Sequence, residues 1–159
     1  MIRQIQTEDW QRLRDVRLRA LAQAPDTYLE THSNASIFPD ELWIDRATPD
    51  DEGCSFAVEV DGRFDGLVSC FTADDPRAVF LVAIWVAPEL RGTGVARELL
   101  ERVATWAREH GAARVALSVE PGNDRAGRLY EKCGFAETDD PPPFPYEPRP
   151  DNRFYVLEL

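Results

Sequence analysis

The stretch from Val79 to Ala96 constrains this chain more than any other. An uninterrupted apolar run, Val79-Phe80-Leu81-Val82-Ala83-Ile84-Trp85-Val86, passes through Ala87-Pro88-Glu89-Leu90 into Arg91-Gly92-Thr93-Gly94-Val95-Ala96, where an amphipathic pattern begins. A strand without polar alternation is covered on both faces, as at the centre of an α/β sheet. The following helix carries Val95, Leu99, Val103, Trp106 and Ala107 on one face, pairs Glu98 with Arg102 on the other, and ends at Gly111. Residues 114–119 read as a second buried strand, so 79–119 is a β-α-β unit with a right-handed crossover and two parallel strands.

The turn inside that unit has the chemistry of an anion cradle. Gly92 and Gly94 lack Cβ atoms, so a phosphate can approach the backbone and successive N–H groups can point into one concavity. The helix behind adds its unpaired N-terminal donors and the positive end of its dipole. Arg91 offers a charge-assisted bond on top. The dinucleotide fingerprint is excluded because Arg97 stands where a third glycine is needed, and no Gly-Lys-Ser/Thr of a Walker loop occurs.

The rest of the chain supplies further elements without an internal repeat. Residues 2–6 read as a strand, and Thr7 as the N-cap of a helix with the stripe Trp10, Leu13, Val16, Ala20 and Leu21, ending before Pro25. Residues 26–38 read as loop, with a short helix from Pro39 carrying Leu42 and Trp43. Ser55 to Val60 and Phe64 to Phe71 flank Asp61-Gly62, a hairpin turn signal. Asn123 caps a helix through Cys133 that Gly134 stops, and residues 135–138 and 152–159 read as final strands. Between them, six of the twelve prolines fall within residues 141–150, which makes that segment a stiff loop. The expected fold is mixed α/β, one domain over 1–159, with a central mostly antiparallel sheet, one parallel β-α-β unit (79–119) and helices on both faces.

With 159 residues and 43% hydrophobic content the chain can bury a sizeable core. Its 18 basic and 29 acidic residues give a net charge of −11, which opposes nucleic acid and anionic membrane and favours cationic partners at long range. The N-terminal residues lack a signal peptide's apolar core and no run is long enough to span a bilayer, so a cytoplasmic protein is expected. Cys54, Cys70 and Cys133 stand far apart, and only His32 and His110 accompany them. Reduced core thiols are expected, and neither a metal site nor a Cys/His catalytic pair.

Arg91-x-x-Gly94-x-Ala96, after a strand ending Ile84-Trp85-Val86-x-Pro88, resembles the acyl-coenzyme A signature of the GNAT superfamily of N-acetyltransferases. A second block, Asn123-x-x-Ala126-x-x-Leu129-Tyr130-x-x-x-Gly134-Phe135, resembles another motif of that superfamily at the spacing the family shows. The resemblance covers residues 79–138 in detail and only the order of elements elsewhere. It implies acetyl-coenzyme A as co-substrate, no metal, and direct transfer of the acetyl group to a primary amine in a ternary complex. It also implies that pantetheine lies between splayed strands.

On that resemblance the coenzyme is held by Ile84, Trp85 and Val86 through strand-like pairing, and by Arg91, Gly92, Thr93, Gly94, Val95 and Ala96 at the pyrophosphate. Asn123 is a pantetheine contact or simply the helix cap, and Arg97 and Lys132 are candidates for the 3′-phosphate. Tyr130 is the implied acid that protonates the leaving thiolate. By spacing alone, Ala126, Leu129, Tyr130 and Cys133 form a buried stripe on which Tyr130 is an ordinary core residue. Some family members carry a glutamate base where Ser118 stands here. Glu120, on the same strand face, is the first candidate for that role, beside a water chain to Asp74 or Asp75, or an acceptor needing no base. Phe144 and Tyr146 are candidate cation–π contacts for the acceptor or else pack the proline-rich loop. The acceptor is expected to be a small-molecule amine; a protein N-terminal or lysine amine, or a non-catalytic acyl-coenzyme A sensor, are the alternatives. A homodimer is compatible with the superfamily.

Overall fold

A computed structural model describes residues 1–75 and 77–159. Seven strands make one sheet: β1 (Ile2–Gln4), β2 (Gly53–Val60), β3 (Arg63–Thr72), β4 (Ala78–Val86), β5 (Arg114–Val119), β6 (Ala136–Thr138) and β7 (Arg153–Glu158). Their order is β1-β2-β3-β4-β5-β7-β6. Every neighbouring pair is antiparallel except β4 and β5, the two strands of the β-α-β unit. The β2–β3 hairpin turns at Asp61 and Gly62, both with positive φ (52° and 80°), as the Asp-Gly signal requires.

The helices are α1 (Trp10–Gln23), a single turn α2 (His32–Ala35), α3 (Asp40–Ala47), α4 (Val95–Glu109) and α5 (Asp124–Lys132). On one face of the sheet, α4 and α5 close a core of Leu99, Val103, Trp106, Tyr130 and Phe135 against Val68, Val79 and Leu81. On the other, α1 and α3 bury Leu13, Val16, Leu21 and Trp43 against Phe64, Leu67 and Trp85. Each such apolar side chain contributes roughly 1.5–3 kcal/mol on leaving water. Phe144 packs over Phe80, Ala78 and Ala116, so the proline-rich segment roofs the part of this face beyond α1 and α3. The buried Cys54 and Cys70 thiols stand opposite each other at 3.9 Å, and all three cysteines are free, as expected.

Three local expectations change. β1 stops at Gln4, and Ile5 leaves it while still bonding to the Ser55 carbonyl. Thr7 opens a 3-10 turn (Thr7–Asp9), and its hydroxyl pairs with Thr48. Asp9 takes the N-cap position of α1 without a side-chain bond into that helix; its carboxylate instead accepts the Arg3 guanidinium and the Gln6 N–H at 2.9 Å, which holds its pKa down to about 2. The 26–38 segment is not wholly loop, because Thr31 accepts the Asn34 N–H and starts α2.

Candidate active site

The β4 and β5 strands pair only over Ala78–Phe80 and Arg114–Ala116; beyond that β5 runs with β7 and β4 stays with β3. The divergence coincides with a bulge. Ser69 faces Val82 and Leu67 faces Trp85, so Ala83 and Ile84 together oppose Val68, and Ala83 takes φ 59°. An extra residue bends the strand, and a left-handed alanine costs about 1–2 kcal/mol. Past the bulge the Ala87 N–H bonds to the Asp65 carbonyl at 2.8 Å, which by alternation turns the backbone polar groups of Ile84 and Val86 toward the gap. The gap belongs to a cleft of about 1110 Å³ lined by Tyr130, Glu120, Asn123 and the candidate coenzyme residues of 84–96 except Thr93; Lys132, Asp74, Asp75 and Phe144 lie outside it.

At one end of the cleft lies the cradle. Gly92 and Gly94 have φ of 80° and 91°, and a Cβ on either would meet no atom within 4 Å. Glycine is therefore required by the backbone conformation and leaves open space above it. Gly94 caps α4 without a side-chain bond, so no cap side chain claims the donors of the first turn. Thr93 turns both its N–H and its hydroxyl back to the Leu90 carbonyl, holding the loop's shape. Arg91 sits differently from the expectation: Nε donates to the Val86 carbonyl at 3.2 Å and Nη2 to Gln23 Oε1 at 2.8 Å. Gln23 Oε1 also accepts Trp85 Nε1–H at 2.6 Å, so Arg91 braces the cradle against α1. Arg97 pairs with Glu101 on the surface.

Tyr130 enters from α5, whose close approach to β7 explains a glycine in mid-helix: a Cβ at Gly127 would lie 2.6 Å from the Tyr155 hydroxyl. The Tyr130 ring packs between Phe135 and Tyr155, yet its residue lines the cleft, and among the described residues its hydroxyl has no hydrogen-bond partner. Burial raises its pKa, with Tyr28, Glu120 and Cys133 adding to the effect, so the phenol is protonated throughout the neutral range. Asn123 caps α5, accepting the Ala126 N–H at 3.2 Å, while its amide donates to Glu120 Oε1 at 2.6 Å. The cap thus fixes Glu120 at the mouth of β5. Ser118 and Asn152, bonded at 3.3 Å, stand beside it in the cleft.

The opposite wall comes from residues to which the sequence reading assigned no role. The Tyr28 hydroxyl donates to the Ile84 carbonyl at 2.9 Å, and burial lifts its pKa to about 12. Arg17 lies over the Tyr28 ring at 4.6 Å and bonds Glu30, which Arg46 also holds. Burial opposes ionisation of Glu30, but the two guanidiniums outweigh it and keep its pKa low. Arg149 donates to the Asp26 carbonyl and, at 2.9 Å, to the Tyr28 carbonyl, tying the proline-rich loop to the 26–30 segment. Of the two aromatics in that loop, Phe144 is a packing residue and Tyr146 lines the cleft. The available signals were only an arginine stripe in α1 and a tyrosine after Pro25; neither marks a wall that needs three distant segments.

Among the described residues no group of three or more His, Cys, Asp or Glu side chains is placed to hold a metal ion. Among the described residues, too, no helix is long and apolar enough to cross a membrane.

A splayed β4–β5 pair, a glycine cradle on α4 and a tyrosine from α5 thus meet around one gap of an α/β sheet. The chain belongs to the acetyltransferase (GNAT) family, whose pattern it matches over residues 7–135. It is 41% identical over 75 residues to an uncharacterized N-acetyltransferase of Mycobacterium tuberculosis, covering 47% of each chain. It is 33% identical over 66 residues to the aminoglycoside N(6')-acetyltransferase type 1 of Salmonella typhimurium, covering 42% of this chain and 46% of that one. The aligned part spans about half the length of these curated relatives. A putative acetyltransferase of Salmonella typhimurium, solved with acetyl-CoA, shares the fold with a TM-score of 0.74 at 21% identity, covering 100% of this chain and 93% of that one.

Proposed function

We propose that the protein is an acetyl-coenzyme A-dependent N-acetyltransferase that acylates a small-molecule primary amine by direct attack in a ternary complex. The observation that carries this reading is the Tyr130 phenol: a buried, protonated hydroxyl that no protein group claims, beside the gap between β4 and β5. The hydroxyl is not sealed from the cleft, so its hydrogen is open to a group bound in the gap.

The residues present fit the co-substrate, since the open space over Gly92 and Gly94 and the first-turn N–H groups of α4 match a pyrophosphate. The gap-facing groups of Ile84 and Val86 match an amide-bearing chain, whose arrival replaces the Tyr28 hydroxyl and Arg91 Nε on their carbonyls. Acetyl-coenzyme A supplies the activated thioester. Tyr130 donates its proton to the departing sulfur; free thiols titrate near ~8.5, below the phenol, so the transfer is uphill by itself and is drawn forward by collapse of the tetrahedral adduct and by the cost of leaving a bare thiolate in the cleft. Glu120, fixed by Asn123, accepts a proton from the acceptor's ammonium, directly or through water. The Arg149 tie across the mouth supports a small acceptor over a protein segment, which needs an open groove. Likeness to an aminoglycoside acetyltransferase supports the reaction type.

The test is calorimetric titration with acetyl-coenzyme A, followed by an amine screen monitored by thiol release. Tight binding with turnover of at least one amine is expected. Binding without turnover of any amine would select a coenzyme sensor, and no binding would remove the reading.

A further inference from the structure

Beyond Tyr28 the cleft extends between α1, α3 and the β2–β3 hairpin. Its lining there includes Arg17, Trp43, Ser55 and Ser69. This end holds buried donors without acceptors. Arg17 Nη1 and Trp43 Nε1 are both sealed from bulk solvent and, among the described residues, bonded to nothing. Ser55 and Ser69 hydroxyls face each other at 2.6 Å, an arrangement that uses one of their two hydrogens and leaves the other to be placed elsewhere. α1, α3 and the hairpin thus each contribute an N–H or O–H that needs an oxygen.

Arg17 and Arg46 share a single carboxylate, Glu30, although Asp45, Asp50 and Glu52 also line this end, so its net charge is not positive. Arg17 itself is deeply placed, its side chain only 11% exposed. The carboxylates nearby do not supply the missing acceptor: Asp50 Oδ1 is turned onto the N–H groups of Glu52 and Gly53, and Asp45 and Glu52 are exposed. At the other end of the cleft the polarity is reversed. There Glu120 lines the gap beside Tyr130, and the buried Asn152 Oδ1 has no donor among the described residues.

We propose that the acceptor is an amino acid or a related amino-carboxylate, with its amine at Glu120 and Tyr130 and its carboxylate received by Arg17 and the Trp43 indole N–H. This rests on the acetyltransferase reading and names the substrate class of the same site. It separates the protein from its aminoglycoside-modifying relatives in one respect: the far end of the site receives an anion. An ammonium placed there would leave the orphan donors unmatched, whereas a carboxylate supplies the oxygens they lack.

The experiment compares matched ligands on the wild-type protein in the presence of coenzyme A. N-acetyl-6-aminohexanoate is titrated beside N-hexylacetamide, its counterpart without the carboxylate, and ω-amino acids of increasing length are run as acceptors beside matching alkylamines and diaminobutane. The carboxylate-bearing member is expected to bind at least tenfold more tightly, and carboxylate-bearing acceptors to lead the kcat/KM ranking by about a hundredfold. Arg17→Gln should erase most of this preference through KM and leave acetyl-coenzyme A affinity unchanged. Equal binding of the paired ligands, superior turnover of the diamine or an aminoglycoside, or an Arg17→Gln variant that keeps the preference would overturn the assignment. The product titration needs no turnover, so it judges the carboxylate site even if no tested acceptor reacts. Failure of acetyl-coenzyme A itself to bind would instead overturn the underlying acetyltransferase reading.

Discussion

The two halves of the cleft are built on opposite principles. The half from β4 through α5, which the proposed function gives to the coenzyme, presents mostly backbone: N–H groups over Gly92 and Gly94 and strand edges at Ile84 and Val86, with Tyr130 as the proposed acid. The acceptor half, made from α1, the 26–30 segment, α3 and the proline-rich loop, presents side chains whose placement depends on bonds such as Arg149 to Tyr28 and Arg17 to Glu30. Backbone recognition ties a site to a short run of sequence and suits a ligand that does not vary. Side-chain recognition spreads the site over the chain and lets the acceptor change without disturbing the cradle.

The strongest challenge to this contrast is Tyr130→Phe, which removes a proton from the backbone-built half and leaves its packing intact. Turnover should fall about 10²- to 10⁴-fold with near-normal coenzyme affinity, as for loss of one general acid. Measuring kcat, affinity and melting temperature on one preparation decides it, and full kcat would return Tyr130 to the core.

A smaller effect distinguishes use of the cradle from mere strain. Gly94→Ala and Gly62→Ala place a Cβ in open space at similar positive φ, 91° and 80°, so both should lose about 1–2 kcal/mol of stability. Only Gly94→Ala should also weaken acetyl-coenzyme A, on the order of tenfold or more, because only there does the methyl occupy the space of a charged hydrogen-bonding group. Equal affinities in both variants would mean the phosphate lies elsewhere.

Arg149→Gln tests the side-chain half. Breaking the bonds to Asp26 and Tyr28 should raise acceptor KM several-fold, on the order of 1 kcal/mol for lost charged hydrogen bonds, with coenzyme affinity unchanged. Parallel loss of coenzyme affinity would show that the halves are not independent.

The smallest effect is an absence in the pH profile. Tyr130 acts in its protonated form, and burial raises its pKa above the ordinary ~10, so activity is lost only as pH climbs through that raised value. kcat/KM should therefore rise with deprotonation of the acceptor amine and show no decline near ~10 from this phenol. A decline there that disappears in Tyr130→Phe would place the phenol at an ordinary pKa and in solvent.

The same contrast explains what the sequence disclosed. The β-α-β unit, the Asp61-Gly62 hairpin and the Asn123 cap are local, each set by residues within a few positions of one another, and each lies where its pattern places it. Tyr130 was visible because a motif and a helical stripe coincide on it. Ala83 gave no signal, since nothing in an apolar run marks an alanine for positive φ; the bulge is fixed by β3 pairing on both sides of it. Arg91 was legible as a cation, but its direction was not, because the choice between phosphate and Gln23 is made by a residue 68 positions away. Tyr28, Arg17 and Arg149 form one wall only after the sheet brings their segments together.

The Arg149 tie also bears on how the molecule comes together. Its bonds to Asp26 and Tyr28 join residues 123 and 121 positions apart. Closing so long a loop is entropically unfavourable until the intervening sheet has formed, so these contacts belong among the last made. During synthesis the Arg91–Ala96 loop emerges well before Arg149, yet Tyr130 reaches its final packing only with Tyr155 of β7. Both ends of the cleft are thus finished by the last strand of the chain, one through Tyr155 and the other through the segment that carries Arg149.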